Sequence, residues 1–222
     1  YSEAISGILK PLLVKGESGA ERTTVAPESG PAITISGEAQ NVTIQGLTLI
    51  GGTGSAAVSL VSSYAERPVV TVSHSIMKNS EYGIVMNGES GTVKLERNLI
   101  VNNRREGVHD RFGGTVELIN NTIVENDAGY YLDMFGGAHT LRNNIIVRNK
   151  GDGVAQSVNT PRQSATNLFM HYNNTWQNGY LRSGSYRDLY SYRERESFTA
   201  NGRGHVSADP FFAGAADYHL RS

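Results

Sequence analysis

Asparagines recur at a fixed step through the middle of this chain, and no other feature limits its fold as strongly. Asn98, Asn121 and Asn144 are spaced 23 residues apart, and Leu95, Leu118 and Leu141 keep the same step. So do Asn103, Asn126 and Asn149. A period of roughly 20–50 residues marks a solenoid, in which one unit cannot bury its own apolar face and must stack on the next. Looser copies run through Val42–Leu49 and Val70–Met77, and a degenerate one lies near Tyr172–Trp176.

Inside each unit the apolar residues alternate, as at Val93/Leu95 and Val116/Leu118. That is the period of a strand with one buried face, and the β-branched content agrees with it. Each unit reads as a strand, an Asn corner, a second strand, a polar turn, and a third strand led by glycine. The glycine-led strands are Gly83-Ile84-Val85-Met86, Gly107-Val108-His109-Asp110, Gly129-Tyr130-Tyr131-Leu132 and Gly153-Val154-Ala155-Gln156. The spaced leucines and helical return of a leucine-rich repeat are missing. The pattern therefore predicts an all-β chain, a single-stranded parallel β-helix of about 23 residues per coil.

Residues 31–180 hold the regular coils of one domain, residues 1–30 a partial coil or cap, and residues 181–222 a C-terminal cap. An open solenoid end must be covered. Ile5, Ile8 and Leu9 are expected to help cover the first end, where the opening at Tyr1 reads like the middle of a fold. A loop with a short helix near Tyr186–Glu196, and Phe211 and Phe212 packed on the last coil, are expected at the other. Asn98, Asn121 and Asn144 are expected to adopt left-handed backbone angles and to bond to one another, satisfying amides turned inward.

The balance of 20 basic and 21 acidic side chains leaves a net charge of −1, so no global field draws in nucleic acid or an anionic membrane. The chain has no cysteine, which excludes disulfides, thiolate metal sites and a cysteine nucleophile. No apolar run approaches the ~18 residues that span a bilayer.

These coils resemble the pectate-lyase-like superfamily of right-handed parallel β-helix proteins over about residues 8–180. The stretches Arg187–Arg193, Ser207–Phe212 and Asp217–Leu220 look like the closing element of secreted bacterial members. The resemblance implies an exported or cell-surface protein. It also implies a substrate groove along the glycine-led strands, but the superfamily spans many activities and fold alone does not choose among them.

Two alignments of that groove are open. The strict 23-residue step stacks Asn87, Asp110, Asp133 and Gln156. Alignment on the glycines instead stacks Val85, His109, Tyr131 and Ala155, then Asn87, Arg111, Asp133 and Ser157, with Ile84, Val108, Tyr130 and Val154 inward. A slip of one residue reverses which side chains face out. The glycine alignment is preferred because it buries aliphatic residues. It makes His109, Arg111, Tyr131 and Asp133 the candidate catalytic set, with Asn87, Asp110 and Gln156 as candidate substrate contacts.

Such a set suits an anionic, uronate-containing polysaccharide. Removing the proton at C5, beside the sugar carboxylate, needs that carboxylate neutralised, for which Arg111 and Asn87 or a cation are suited. It needs a base, His109 or Tyr131, and an acid for the leaving oxygen. Elimination makes a lyase, and return of the proton from the other face makes a C5-epimerase. His109-Asp110-Arg111 with Asp133 one coil later is similar to the active-site coil of mannuronan C5-epimerases. Their Asp-Pro-His motif is only partly present, since Gly107-Val108 precedes His109 here. Adjacent carboxylates such as Asp110 and Asp133 also suit Ca²⁺, which prefers oxygen ligands, and no other cofactor is implied. The competing reading is a non-catalytic glycan-binding or surface β-helix, in which His109 is locally hydrogen-bonded and Arg111 and Asp133 form a surface ion pair. His139 is expected half exposed at a strand start, and residues 51–68 and 155–167 are expected to be long excursions walling the groove.

Overall fold

The computed structural model describes residues 1–8, 10–37, 40–63, 66–133, 137–157, 168–179, 189–192, 202–204, 206–214, 217–218 and 220. Three sheets, here called A, B and C, run the length of a β-solenoid, and successive strands visit them in turn. The coil at the centre shows the plan. Thr92–Glu96 lies in sheet B, Leu99–Val101 in sheet C, and Glu106–Phe112 in sheet A. Each strand pairs in parallel with its counterparts one coil before and after. No helix occurs among the described residues.

The interior is aliphatic because alternation points one side of every strand inward. Val93 and Leu95 stack on Val116 and Leu118 in sheet B, and Ile100 stacks on Ile123 and Ile146 in sheet C. All are fully buried.

Two amide ladders stitch the corners. Asn98 donates from its backbone N–H and its side chain to Oδ1 of Asn121, and Asn121 does the same to Asn144. Asn144 continues to Asn173. Each side-chain amide also reaches a sheet B carbonyl, Val72 for Asn98 and Leu95 for Asn121. The second ladder, Asn103–Asn126–Asn149–Asn178, repeats this at the corner between sheets C and A. The left-handed residue is not the ladder asparagine itself but the one before it: Arg97, Asn120, Asn143 and Tyr172 at one corner, Asn102, Glu125, Arg148 and Gln177 at the other. That conformation costs about 1–2 kcal/mol per residue. Three hydrogen bonds per ladder rung, each worth about 1 kcal/mol net, offset it. The corner bend falls on one residue so that the next can aim its amide inward.

The glycine-led strands have a packing cause. A Cβ at Gly129 would meet the Gly153 carbonyl oxygen, Ile146 Cγ2 at 2.6 Å and Asn149 Nδ2 at 3.1 Å. Gly107 and Gly83 face the corresponding atoms one and two coils earlier. Sheet A therefore leaves the second ladder so closely that no side chain fits.

Several expectations are corrected at the ends. Ile5–Ile8, Leu12–Lys15 and Thr24–Val25 are the first strands of sheets A, B and C. Ile8 joins the core, whereas Leu9 lies outside the described residues. Residues 51–68 are not merely an excursion, because Ala56–Val61 is a sheet A strand between Ile33–Ser36 and Tyr82–Gly88. Residues 158–167 of the second expected excursion lie outside the described residues. Within the expected helix, Leu189–Tyr192 is a strand antiparallel to Val154–Ser157, and residues 186–188 and 193–196 lie outside the described residues. Phe212 joins Val101, Val124 and Val147 on the outside of sheet C, in a cluster that reaches Trp176 of the last coil but spans the earlier coils as well. Phe211 is 64% exposed. The tail can lie there because outward valines on successive coils give it an apolar stripe.

Candidate functional site

The backbone register of sheet A follows the glycine alignment. Val85 pairs with His109, His109 with Tyr131, and Tyr131 with Ala155. Asn87 pairs with Arg111. Asp133 extends that level by donating its N–H to the carbonyl of Asp110 at 2.7 Å. Ile84, Val108, Tyr130 and Val154 form the buried column facing inward.

His109 is the centre of the outer face, and only 6% of it is exposed. Its ring lies edge-on to Tyr82 and to Tyr131, with centroids 5.4 and 5.3 Å away. Nδ1 is 3.3 Å from Oε2 of Glu106. Burial pushes the Glu106 carboxyl up. The hydrogen bond with His109, its own backbone N–H, and the charges of His109 and Arg105 outweigh that and hold it below the usual range. An ionised carboxylate can only accept, so Nδ1 carries the proton, and whenever the ring is neutral its lone pair lies on Nε2. That nitrogen is buried and has no hydrogen-bond partner among the described residues.

Arg111 is 52% exposed in its side chain, and its Nε donates to Oδ2 of Asp133 at 2.8 Å. An ion pair this exposed contributes roughly 0–1 kcal/mol, so it can exchange partners cheaply. Arg105 borders the other end of His109. It donates to the Tyr82 hydroxyl at 3.0 Å and to Glu81 at 3.0 Å.

Asp110 does not join this face. It is fully buried in the lumen, where Oδ2 accepts from the Tyr130 hydroxyl at 2.6 Å and from His139 Nδ1 at 3.0 Å. Oδ1 accepts from the N–H of Phe112 at 2.9 Å. Burial, with the charge and hydrogen bond of Asp110, pushes the Tyr130 hydroxyl well above its ordinary value, so it stays a donor. His139 is fully buried, not half exposed. The physical reason is parity: successive residues of a strand face opposite sides, so His109 outward requires Asp110 inward. Gln156 pairs by its backbone with Leu132, at the inward Asp110 level, while its side chain lies outside the described residues.

The structure thus brings together His109, Tyr131, Arg111, Asp133 and the Asn87 level, and separates Asp110 from them. Sequence reasoning missed Glu106 and Tyr82, which open their sheet A strands just ahead of the leading glycine, and Arg105, which immediately precedes Glu106. The lumen position of His139 had a signal. It keeps the 23-residue step of Val93 and Val116 and pairs with Val116. An open groove of about 740 Å³ lies elsewhere, at the corner of sheets B and C, lined by His74, Ile76, Arg97, Leu99, Asn120 and Tyr218 among others. It contains none of the predicted site residues. No group of three or more metal-ligating side chains occurs among the described residues.

No curated protein and no solved structure matches the chain. The family model described as "Right handed beta helix region" matches residues 31–191, most of the chain and all of its regular coils. With the three parallel sheets and the stacked register, this chain belongs to the right-handed β-helix family.

Proposed function

We propose that the chain acts on an anionic, uronate-containing polysaccharide laid across the outer face of sheet A, with His109 abstracting the C5 proton. The observation that carries this reading is the Glu106–His109 pair. A carboxylate holds Nδ1, so the neutral ring presents its lone pair at the unpartnered Nε2. In this reading Arg111 exchanges Asp133 for the sugar carboxylate, with Asn87 beside it, and lowers the cost of charge developing at C5. The C5 proton moves to Nε2. The freed electron pair either forms the C4–C5 double bond, with the O4 leaving group taking a proton from an acid such as Tyr131, or accepts a proton at C5 from the opposite face. The first outcome is a lyase and the second an epimerase. Such polymers lie outside the cell, so the reading carries with it an exported protein.

A second reading is favoured by a different observation. His109 is less than one-tenth exposed and Arg111 is already paired, which suits a non-catalytic glycan-binding module. One experiment separates the two. The purified chain is incubated with alginate, pectate and glycosaminoglycans in D₂O, with and without Ca²⁺. Unsaturated uronate is followed by absorbance and C5 exchange by NMR. Activity lost in His109→Gln supports the first reading. Binding by titration with neither signal supports the second, and no binding to any of these polymers rejects both.

A further inference from the structure

Along the inward side of sheet A, Asp110 takes a level that Leu60, Met86 and Leu132 hold in the coils beside it. Tyr130 stands between Val108 and Val154, and His139 between Val116 and Leu168. An aliphatic lumen would run through all three positions. A buried charged or polar cluster is weak evidence for stability, and the best-attested use of such groups is to specify one arrangement over another. Here the three polar groups meet inside the very coil whose outer face carries His109 and Arg111.

We propose that Asp110, Tyr130 and His139 are positioning residues: joined inside the solenoid, they fix which way the strand Glu106–Phe112 faces and so hold His109 and Arg111 on its outer side. The inference rests on reading the outer face of sheet A as the site.

Strand facing reverses with a slip of one residue. The apolar pattern of this strand resists a slip weakly, because its inward apolar side chains are only Val108 and Phe112. Asp110 supplies the missing discrimination. Tyr130 comes from the next strand of sheet A and His139 from sheet B, so one carboxylate ties two coils and two sheets. Its second oxygen fixes the N–H of Phe112, and its carbonyl holds the N–H of Asp133, the partner of Arg111. A slipped strand would turn Asp110 outward, forfeit every one of its side-chain bonds, and carry the Arg111 charge unpaired into the lumen.

The test compares the native chain with Asp110→Ser/Tyr130→Phe/His139→Val, which removes the polar contacts without supplying an inward apolar side chain at position 110, and with Tyr130→Phe alone. Because His109 lies edge-on between Tyr82 and Tyr131, its imidazole signals in ¹H–¹³C spectra report its placement directly. The triple variant is expected to unfold cooperatively, with its His109 signals displaced toward those of a solvated histidine or split in two. Its affinity for a uronate oligomer is expected to fall about tenfold or more. A folded triple variant with unchanged His109 signals overturns the proposal. Where the triple variant does not fold, Tyr130→Phe decides by the same spectrum: displaced or split signals support positioning, and unchanged signals overturn it. If the native chain binds no uronate oligomer, the reading of the site fails, while the His109 spectrum still decides positioning.

Discussion

Oδ1 of Asn121 accepts two hydrogen bonds from Asn98 one coil earlier, from the backbone N–H at 3.0 Å and from the side-chain amide at 3.1 Å. Its own amide donates back to the Leu95 carbonyl and onward to Oδ1 of Asn144. One buried side chain thus satisfies groups on both neighbouring coils. Asn121→Ala removes all four bonds and leaves buried donors and acceptors unpaired. At about 1–3 kcal/mol per orphaned group, the loss is expected to reach several kcal/mol in urea unfolding. A loss below about 1 kcal/mol would mean that water replaces the rung.

Gly129 is expected to reject a methyl group. Gly129→Ala pushes a Cβ against the Gly153 carbonyl and Ile146, and the backbone on one side cannot yield. Overpacking of this kind costs about 1–3 kcal/mol, read as a lowered thermal midpoint. Glycines in open turns with nothing near the added Cβ, such as Gly54, do not share this clash.

The lumen polar groups are expected to behave non-additively. His139→Val alone leaves the Asp110 carboxylate buried without its imidazole, and removing one partner of a buried pair costs about 3–5 kcal/mol. Replacing Asp110, Tyr130 and His139 together with Leu, Phe and Val removes the charge as well and is expected to cost far less. Chemical denaturation of the single and triple variants measures the difference. Equal destabilisation by both would show that the contacts themselves stabilise the core.

Glu106 links stability to acid. Its folded-state carboxyl lies below the ordinary value of 4.5, for the reasons of hydrogen bonding and charge that overcome burial. A depressed carboxyl contributes stability that is complete above the ordinary value and disappears as pH falls through the folded one. Glu106→Gln is therefore expected to be less stable than the native chain at neutral pH, with the gap closing as pH drops below about 4.5. A gap that stays constant with pH would remove the carboxylate from the account.

Tyr218 gives the opposite sign at the alkaline end. Burial first, then the hydrogen bond and charge of Glu125, push its hydroxyl up to about 12. The bond to Glu125 Oε2 is 2.7 Å long. A raised value contributes stability that is complete below the ordinary value of 10 and is lost as pH rises through about 12. Tyr218→Phe is expected to loosen the C-terminal tail on sheet C at neutral pH, seen as faster limited proteolysis. It also removes this alkaline dependence.

Much of the scaffold was legible because a solenoid repeats its physics. The 23-residue step of Asn98, Asn121 and Asn144 marked the ladder, and the alternation at Val93 and Leu95 marked the buried side of a strand. The site was legible only in part. Glycine alignment paired His109 with Tyr131 and Asn87 with Arg111, but it offered no sign that Glu106, at the start of the same strand, would hold His109. Nor did it show that Tyr131, although outward, would be almost fully buried.

The amino-acid sequence by itself determined the stacking of short strands, the aliphatic interior and the amide corners, since each follows from local alternation and a fixed period. The tertiary structure alone decided that Asp110 meets Tyr130 and His139 inside the lumen and that the tail lies on sheet C. Those contacts join residues from different strands, sheets or coils. Their distances depend on how far each coil turns before the next is laid upon it, a quantity no local pattern encodes.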